Sequence, residues 1–448
     1  MTDAPVTGKR GGRTTLRARV DTLRASDVGR AGGLAAAMIA NNVVALGSTV
    51  VFARLLDDYG SLAALISFYL ILSVVGQALQ VATARDAVLG QLGEGPALAA
   101  TLRSWTRSLL LLTLGVGVVS VLLRAPIASA VGVDQEWAAA IGLPAGVLWL
   151  LLSLLRGGLQ GTGDYRAVGI SLVGEQGARL VLGAALAAVG LGVTGAYLGT
   201  PLSLLVMAVY CWIELRRRTQ TATGIGFRPP ATASGSPAGD VTRRLRDHVA
   251  GATVPIAGLV IVALLQNVDV IAGKHRFSTD MASSYGATAV AAKVLVWVAM
   301  GAGFYLVPET SRRHADGEDT RRVLLNAIAI VLVCALPVLA IFAFGGRQLL
   351  QAAFGADRLL AVDALLPLGV AFTLLALTYL AIQYLLALRR TAFLAPLGAI
   401  ALAEPVLLLT AAPSTPNGFA AVVLAVQAVA AAVALGLAFT RTAPAGRR

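Results

Sequence analysis

The sequence predicts an all-α integral membrane protein: a bundle of about twelve transmembrane helices in two pseudo-symmetric six-helix halves around a central cavity. Three observations lead to this prediction. The composition is 57% hydrophobic and only 13% charged, and the mean hydropathy is +0.78. Apolar runs alternate with short polar connections, and each run can cross a hydrocarbon core of about 30 Å, which takes about 20 helical residues. One longer polar connection divides the runs into two sets of six.

The first six runs are bounded by charged residues or by clusters of Gly and Pro. None shows the strict alternation of apolar and polar residues that a membrane β-barrel strand would need. We therefore interpret each run as one helix. The predicted spans are Ala31–Phe52, Leu62–Ala84, Ser104–Leu123, Ala138–Leu155, Val168–Val189 and Val193–Ile213.

The second six runs contain several internal prolines. Proline would break a helix in water, but within a membrane bundle the neighbouring helices satisfy the freed backbone groups. The prolines therefore do not argue against helices here. The predicted spans are Val249–Ala272, Ala287–Val307, Val323–Phe344, Ala364–Leu386, Ala392–Leu409 and Phe419–Phe439.

The chain is predicted to contain five segments. Their order is a basic disordered cytoplasmic tail, an N-terminal half, a cytoplasmic linker rich in Ala, Gly and Ser, a C-terminal half and a short cytoplasmic tail. The halves correspond in outline, because Tyr59-Gly60 and Tyr285-Gly286 each stand at the start of an even-numbered span. The predicted boundaries are 1–29, 30–215, 216–247, 248–440 and 441–448.

The distribution of charge predicts the orientation in the membrane. Lys and Arg number 36 against 23 Asp and Glu, which gives a net charge of +13. Most of the cations fall on the side of the two termini, and positive connections stay in the cytoplasm. We therefore expect a cell-membrane protein with both termini cytoplasmic, and the net charge requires no nucleic acid partner. The cations predicted on the outer side are Arg54, Arg124, Lys274, Arg276, Arg347 and Arg358.

Four stretches resemble a known family. They are Val51–Gly60, Gly76–Arg85, Gly158–Tyr165 and Leu265–Val270, and they are similar to segments of polysaccharide flippases. These flippases form the lipid-linked-saccharide branch of the multidrug/oligosaccharidyl-lipid/polysaccharide exporter superfamily. The resemblance covers nearly the whole chain after residue 29, and it departs from the family pattern at Asp57, where a glycine is expected. It implies a V-shaped central cavity and outward movement of a polyprenyl-pyrophosphate saccharide. The mechanism that we predict is alternating access by rocking of the two halves.

Charged residues inside the spans are the first candidates for the site, because ionisable groups at membrane depth usually face a bundle interior or water. Glu175 and Arg179 are four residues apart and share a helix face. They fit either a cavity-lining role or a neutralised pair that joins helices. Asp269 and Lys293 fit a structural or gating ion pair near the outer face. Glu404 is the candidate site for a coupling ion, through a proton or sodium gradient, or a buried neutral carboxyl.

Uncharged polar residues form stripes on the first, second and seventh spans, the helices that line the cavity in the resembling family. Amides match the hydroxyls of a sugar headgroup, although hydrogen bonding between helices is the alternative interpretation. Arg85 is a candidate partner for a pyrophosphate and also an ordinary cytoplasmic anchor. The cavity-lining candidates are Asn41, Asn42, Gln77, Gln80, Arg85, Glu175, Arg179, Gln266, Asp269 and Lys293.

Three other function classes remain. The sequence shows no Gly-rich phosphate loop, metal-ligand spacing or Ser/His/Asp constellation, which argues against an enzyme and a resident cofactor. An ion-coupled multidrug exporter of the same superfamily predicts cationic substrates and an acidic cavity. A non-catalytic scaffold would only recruit envelope-biosynthesis proteins. The expected partners are the lipid-linked saccharide, membrane lipids and glycan polymerases or similar envelope proteins.

The orientation predicts that position 234, in the linker, is not accessible from outside the cell. We expect a Ser234→Cys variant, in a background without Cys211 and Cys334, to react with a membrane-impermeant maleimide only after the cells are permeabilised. Asp134→Cys, in the predicted outer connection after the third span, is the matched control and should react in intact cells. Reaction of Ser234→Cys in intact cells would reverse the orientation.

Overall fold

The computed structural model describes residues 27–221 and 253–440, and within them twelve long helices account for most of the chain. The first six are α1 to α6 and the last six are α7 to α12. A short helix, Arg124–Val131, follows α3. The long helices are Asp27–Leu55, Tyr59–Val88, Pro96–Leu122, Glu136–Gly161, Tyr165–Leu186, Gly192–Thr221, Thr253–Arg276, Thr279–Ala315, Arg321–Phe354, Leu365–Ala387, Leu394–Thr410 and Pro416–Phe439.

The predicted fold class is confirmed, and each predicted span coincides with one helix. Within residues 27–221 and 253–440, 10 segments are long and apolar enough to cross a membrane. One of these, Tyr165–Gln220, contains both α5 and α6, which join through a turn with Gly190 at φ 99°. The 10 segments thus contain eleven of the long helices. The remaining one, α11, is shorter at 17 residues. The protein is therefore a multi-pass membrane protein.

Several helices run past the ends of the apolar runs, because polar residues continue the helix beyond the bilayer core. The predicted boundary at residue 29 lies inside α1, and residues 216–221 of the predicted linker belong to α6. Helix α8 is 37 residues long, and α4 includes Arg156, which the sequence placed in a connection. The remaining parts of the predicted tails and linker, 1–26, 222–247 and 441–448, lie outside the described residues, as do residues 248–252 of the predicted C-terminal half.

The same pairing of helices occurs in both halves. Within the first half α2 packs on α4, α4 on α6, and α1 on α5; within the second, α8 packs on α10, α10 on α12, and α7 on α11. Short connections make neighbouring helices antiparallel. Within each half this alternation holds, and the contact of Arg54 at the end of α1 with Ala353 at the end of α9 shows that the two halves run in the same direction. Asp27 and Thr440 thus lie at one end of the bundle, which we call the proximal end, and the connection between α1 and α2 lies at the distal end.

The two Tyr-Gly pairs meet where the halves join. A methyl group at Gly60 would lie 2.9 Å from the backbone nitrogen of Ser283, and one at Gly286 would lie 3.0 Å from the Cβ of Ala63. Tyr59 and Tyr285 are both buried beside this contact. The absence of side chains at Gly60 and Gly286 therefore allows the two helix starts to approach closely at the distal end.

Helices α5 and α6 also approach closely, and this contact fixes the backbone of Arg179. A methyl group at Gly199 would lie 2.7 Å from the carbonyl oxygen of Arg179 and 2.7 Å from the backbone nitrogen of Gly183. Backbone atoms cannot move aside as a flexible side chain can. Position 199 therefore has no room for a side chain.

We expect Gly199→Ala to destabilise the protein by about 1–3 kcal/mol, because overpacking forces the two helices apart. Gly177→Ala is the matched control, since a methyl group at position 177 has nothing within 4 Å and alanine favours a helix. Thermal unfolding in detergent, followed by fluorescence-detected size-exclusion chromatography, measures both. A Tm for Gly199→Ala equal to that of Gly177→Ala would contradict the close approach.

Candidate functional site

At the distal end, one arginine of each half donates hydrogen bonds to the backbone of the other half. Arg358, in the connection after α9, donates from Nη2 to the carbonyl oxygen of Leu56 at 2.6 Å and to that of Asp57 at 3.1 Å. Arg54, at the end of α1, donates from Nε to the carbonyl oxygen of Ala353 at the end of α9, at 2.9 Å. The ends of helices α1 and α9 thus each present free carbonyl groups that a cation from the opposite half satisfies.

The turn at Asp57 does not require glycine. Arg389 is the one described non-glycine residue with a positive φ, so Asp57 has an ordinary backbone conformation. Its carbonyl group accepts a hydrogen bond from Arg358. The departure from the family pattern at this position is therefore compatible with the turn.

An ion pair between the halves lies beside these contacts. Lys274 of α7 donates to Oδ1 of Asp58 at 2.8 Å, and Ser61 donates to Oδ2 of the same carboxylate at 2.5 Å. Burial raises the pKa of Asp58, but the hydrogen bonds from Lys274 and Ser61 and the charge of Lys274 outweigh it, so the pKa lies below its usual value. Nearby, Nε2 of His275 lies 3.1 Å from the carbonyl oxygen of Ala130.

Among the described residues, every hydrogen bond between the halves lies at the distal end. The bundle is thus closed there by side chains of both halves.

A buried charge cluster lies inside the first half. Glu175 accepts from Arg179 at 2.6 Å through Oε1 and from Arg156 at 3.1 Å through Oε2. Arg156 also donates to the hydroxyl of Ser171 at 2.5 Å. One carboxylate therefore neutralises two guanidinium groups incompletely, and the cluster carries a net positive charge.

Two aromatic rings support the guanidinium groups of this cluster. The Cζ atom of Arg179 lies 5.4 Å from the ring centroid of Tyr69, and that of Arg156 lies 5.4 Å from the ring centroid of Trp149. Such cation–π contacts stabilise a charge away from water. Arg156 is fully buried, whereas 11% of the Arg179 side chain is exposed. Arg179 is therefore the member that can reach a ligand.

Arg156 is absent from the candidates predicted from the sequence, because it follows directly on the apolar run that ends at Leu155. In the structure α4 continues to Gly161, so the side chain lies within the bundle. The spacing Trp149 to Arg156 is seven residues, which places both on one helix face. That spacing is the signal that could have identified Arg156.

A second buried cluster lies inside the other half. Lys293 of α8 donates to Oδ1 of Asp269 of α7 at 3.1 Å, and Tyr285 donates to Oδ2 at 3.4 Å. The Nζ atom of Lys293 lies 5.3 Å from the ring centroid of Phe372. Asp269 lies about two turns before the end of α7 at Arg276, and Asp269 and Lys293 are both buried. The pair therefore joins helices within the bundle.

Glu404 is a fully buried carboxyl group in α11. Its Oε1 lies 3.5 Å from the amide nitrogen of Gln427, which also donates to the carbonyl oxygen of Leu265 at 2.7 Å. Oε2 of Glu404 has no hydrogen-bond partner among the described residues. Glu175 on α5 and Glu404 on α11 occupy the fifth helix of their halves, but only Glu175 has direct arginine partners there.

The amide candidates do not join these clusters. Gln77 is exposed, and Asn41, Asn42, Gln80 and Gln266 are partly exposed. Contact with lipid would leave exposed amides unsatisfied, so the lining of a water-filled space stays the prediction for these residues. Arg85 lies apart from them at the proximal end of α2, beside a cavity of about 610 Å³.

Comparisons with known proteins show the fold. The sequence has no significant match to a family model or to a curated protein. The structure is similar to an inward-facing multidrug resistance MATE family transporter of the MOP superfamily (TM-score 0.68, 16% identity, covering 89% of this chain and 93% of that chain). It is also similar to the lipid II flippase MurJ in an inward closed conformation (TM-score 0.69, 13% identity, 91% and 87% coverage).

An outward-facing MATE family transporter of the same superfamily superposes less well, with a TM-score of 0.54 at 15% identity and coverage of 91% and 94%. The fold that the resemblance implied is therefore confirmed. The proteins of similar structure are transporters and a flippase.

The Asp58–Lys274 pair predicts how closure of the distal end depends on pH. The pKa of Asp58 is lowered in the closed state. Its ionised carboxylate therefore stabilises the closed state fully above the ordinary carboxyl pKa of about 3.9. This stabilisation is lost as the pH falls through the lowered pKa. Asp58→Asn should destabilise the closed state relative to the open state by about 1–3 kcal/mol at neutral pH.

Spin labels at Asp134→Cys and Asp280→Cys, in a background without native cysteines, report the distance between the halves by double electron–electron resonance. We expect the short distance to lose population below about pH 4 in the protein with Asp58. The Asp58→Asn variant should show a smaller closed population that changes less with acid. Equal pH dependence in both proteins would contradict a role for Asp58.

Proposed function

We propose that this protein is a membrane transporter that moves a polyprenyl-pyrophosphate-linked saccharide from the cytoplasmic to the outer leaflet of the cell membrane. Its role is that of a flippase in cell-surface polysaccharide biosynthesis, and it works by alternating access rather than as an enzyme. Both termini are cytoplasmic in this proposal, so the distal end faces the outside. The expected partners are the lipid-linked saccharide, membrane lipids and the glycan polymerases that use the exported product.

The observation that carries the proposal is the excess of buried cations in the first half. Arg156 and Arg179 share the single carboxylate of Glu175. Nε of Arg179 and Nη1 of Arg156 have no hydrogen-bond partner among the described residues. A positive cluster with free N–H donors favours an anionic ligand, and a guanidinium group binds phosphate oxygens in a fork geometry.

The one-sided closure supports alternating access. The distal end is closed by contacts between two halves of similar helix pairing, and the described hydrogen bonds between the halves lie at that end. Rocking of the halves about their interface would break these contacts and open the outer side. The better agreement with inward-facing and inward closed relatives, at TM-scores of 0.68 and 0.69 against 0.54 for an outward-facing one, supports the same state.

An asymmetry between the two helix pairs at the interface supports a substrate with a lipid tail. Helix α2 packs along α7, whereas the pseudo-equivalent pair, α1 and α8, makes few contacts among the described residues. A loosely packed side allows a headgroup to lie between the halves while its prenyl chain stays in the bilayer. A small drug without such a chain needs no lateral opening.

Glu404 is the group that we assign to coupling with a proton or sodium gradient. It is fully buried, and one of its oxygens lacks a partner among the described residues. Binding or release of a cation there would change the charge beside Asp269 and Lys293. Because α11 packs on α7, such a change would act on a helix of the interface between the halves.

The second candidate function is an ion-coupled multidrug exporter. The observation that favours it is the second cluster, in which two carboxyl groups, Asp269 and Glu404, lie near one ammonium group, Lys293. An acidic interior suits a cationic drug. The two functions therefore differ in which half binds the transported molecule.

We expect deletion of the gene to strand a polyprenyl-pyrophosphate saccharide on the cytoplasmic leaflet and to reduce surface polymer. Extraction and mass spectrometry of the lipid-linked intermediates measure this pool. Arg179→Ala should reduce export at least tenfold, because a charge-assisted contact contributes about 1.5–3 kcal/mol. Arg179→Lys should be milder, since lysine keeps the charge but loses the fork.

Expression level and the elution volume on size-exclusion chromatography must match the wild type in both variants. Export by Arg179→Ala at the wild-type rate would restrict Arg179 to a structural partnership with Glu175. Sensitivity to cationic drugs with an unchanged lipid pool after deletion would instead establish the drug exporter.

A further inference from the structure

We propose that the cavity at the proximal ends of α2 and α4 is a docking site for the pyrophosphate headgroup of the lipid-linked substrate before it reaches the buried cluster. This inference rests on the proposed function and adds a second binding site to it. The cavity has a volume of about 610 Å³ and is open to the outside of the bundle. Its lining residues are Ala84, Arg85, Val88, Leu89, Gln160 and Tyr165.

Three polar side chains of the lining have no partner in the described part of the chain. The guanidinium of Arg85, the amide of Gln160 and the hydroxyl of Tyr165 make no hydrogen bond or ion pair with any described residue. They come from three helices: the end of α2, the end of α4 and the first residue of α5. A cation, an amide and a phenol that converge on one open space can bind a polar ligand without breaking existing contacts.

The charge of the site favours an anion. The carboxylate nearest in sequence to Tyr165 is Asp164, which accepts from Nε of Arg218 at 2.8 Å and caps α5 through the backbone nitrogen of Ala167. Its charge is therefore already compensated. Arg85 remains available as the cation of the cavity.

The walls of the cavity suit a lipid-linked ligand. Val88 and Leu89 are 69% and 55% exposed. They form an apolar surface beside the three polar side chains. A phosphate bound at Arg85 would place the first isoprene units of its lipid against these side chains. Gln160 and the ring of Tyr165 would face the sugar side, where hydrogen bonding and stacking are the usual contacts.

Two of the three helices that line the cavity, α2 and α4, approach closely at a glycine. A methyl group at Gly161 would lie 2.3 Å from the Cβ of Ala87 and 3.2 Å from the carbonyl oxygen of Ala84. The stretches Gly76–Arg85 and Gly158–Tyr165, which carry much of the family resemblance, thus meet at this cavity. Two separated parts of the sequence would therefore both contribute to the proposed headgroup site.

The test is direct binding of geranyl pyrophosphate to the purified full-length protein in a neutral detergent, measured by isothermal titration calorimetry. We expect Arg85→Gln to weaken binding about tenfold, the loss expected for one charge-assisted contact. Arg166→Gln is the matched control, because Arg166 is exposed on the next residue of α5 but does not line the cavity. Tyr165→Phe should weaken binding by a smaller factor.

Equal affinities of the Arg85→Gln and Arg166→Gln variants would overturn the proposal. Displacement of geranyl pyrophosphate by phosphatidylglycerol with the same potency would also overturn it, because the cavity would then bind any phospholipid headgroup.

The lipid pool after gene deletion separates this proposal from the function. An unchanged pool with Arg85-dependent binding refutes the flippase and leaves an anion site. A stranded lipid together with wild-type binding by Arg85→Gln refutes the site and leaves the flippase.

Discussion

The packing of α2 against α7 and α8 at the distal end is the contact on which the rest of the structure depends. It joins two halves that otherwise bury their own apolar faces, and the glycines at positions 60 and 286 allow it by removing side chains from the contact. The Asp58–Lys274 pair and the exchange of Arg54 and Arg358 surround it. These polar contacts join the two halves at the end that the proposal places outside, so opening of that end must break them.

Deeper in the bundle, the cost of burying charge governs the arrangement. An ion in a low-dielectric interior must be paired, and each half contains such a pairing. The first half places two guanidinium groups on one carboxylate, whereas the second places Lys293 on Asp269 and leaves Glu404 with an amide neighbour. This difference gives the halves separate roles in our proposal: the first binds an anionic headgroup, and the second responds to a coupling ion.

The fold was largely predictable, because a bilayer imposes a length and an apolar composition on each helix. Helix ends were less predictable, since polar residues continue α4, α7 and α8 past the apolar core. Arg156 was missed for that reason. The Glu175–Arg179 contact follows from spacing along one helix, but the contacts of Arg358 with α1 join residues about 300 positions apart. Only the packing of the two halves reveals such contacts.

Reversible cross-linking of the distal end tests the central claim most directly. Cysteines that replace Asp58 and Lys274, in a background without Cys211 and Cys334, can be joined by a short bismaleimide with a cleavable disulfide linker. We expect the joined protein to lose export of the lipid-linked saccharide and to regain it when the linker is reduced, with the unjoined variant active throughout. Undiminished export with the linker intact would contradict alternating access through this end.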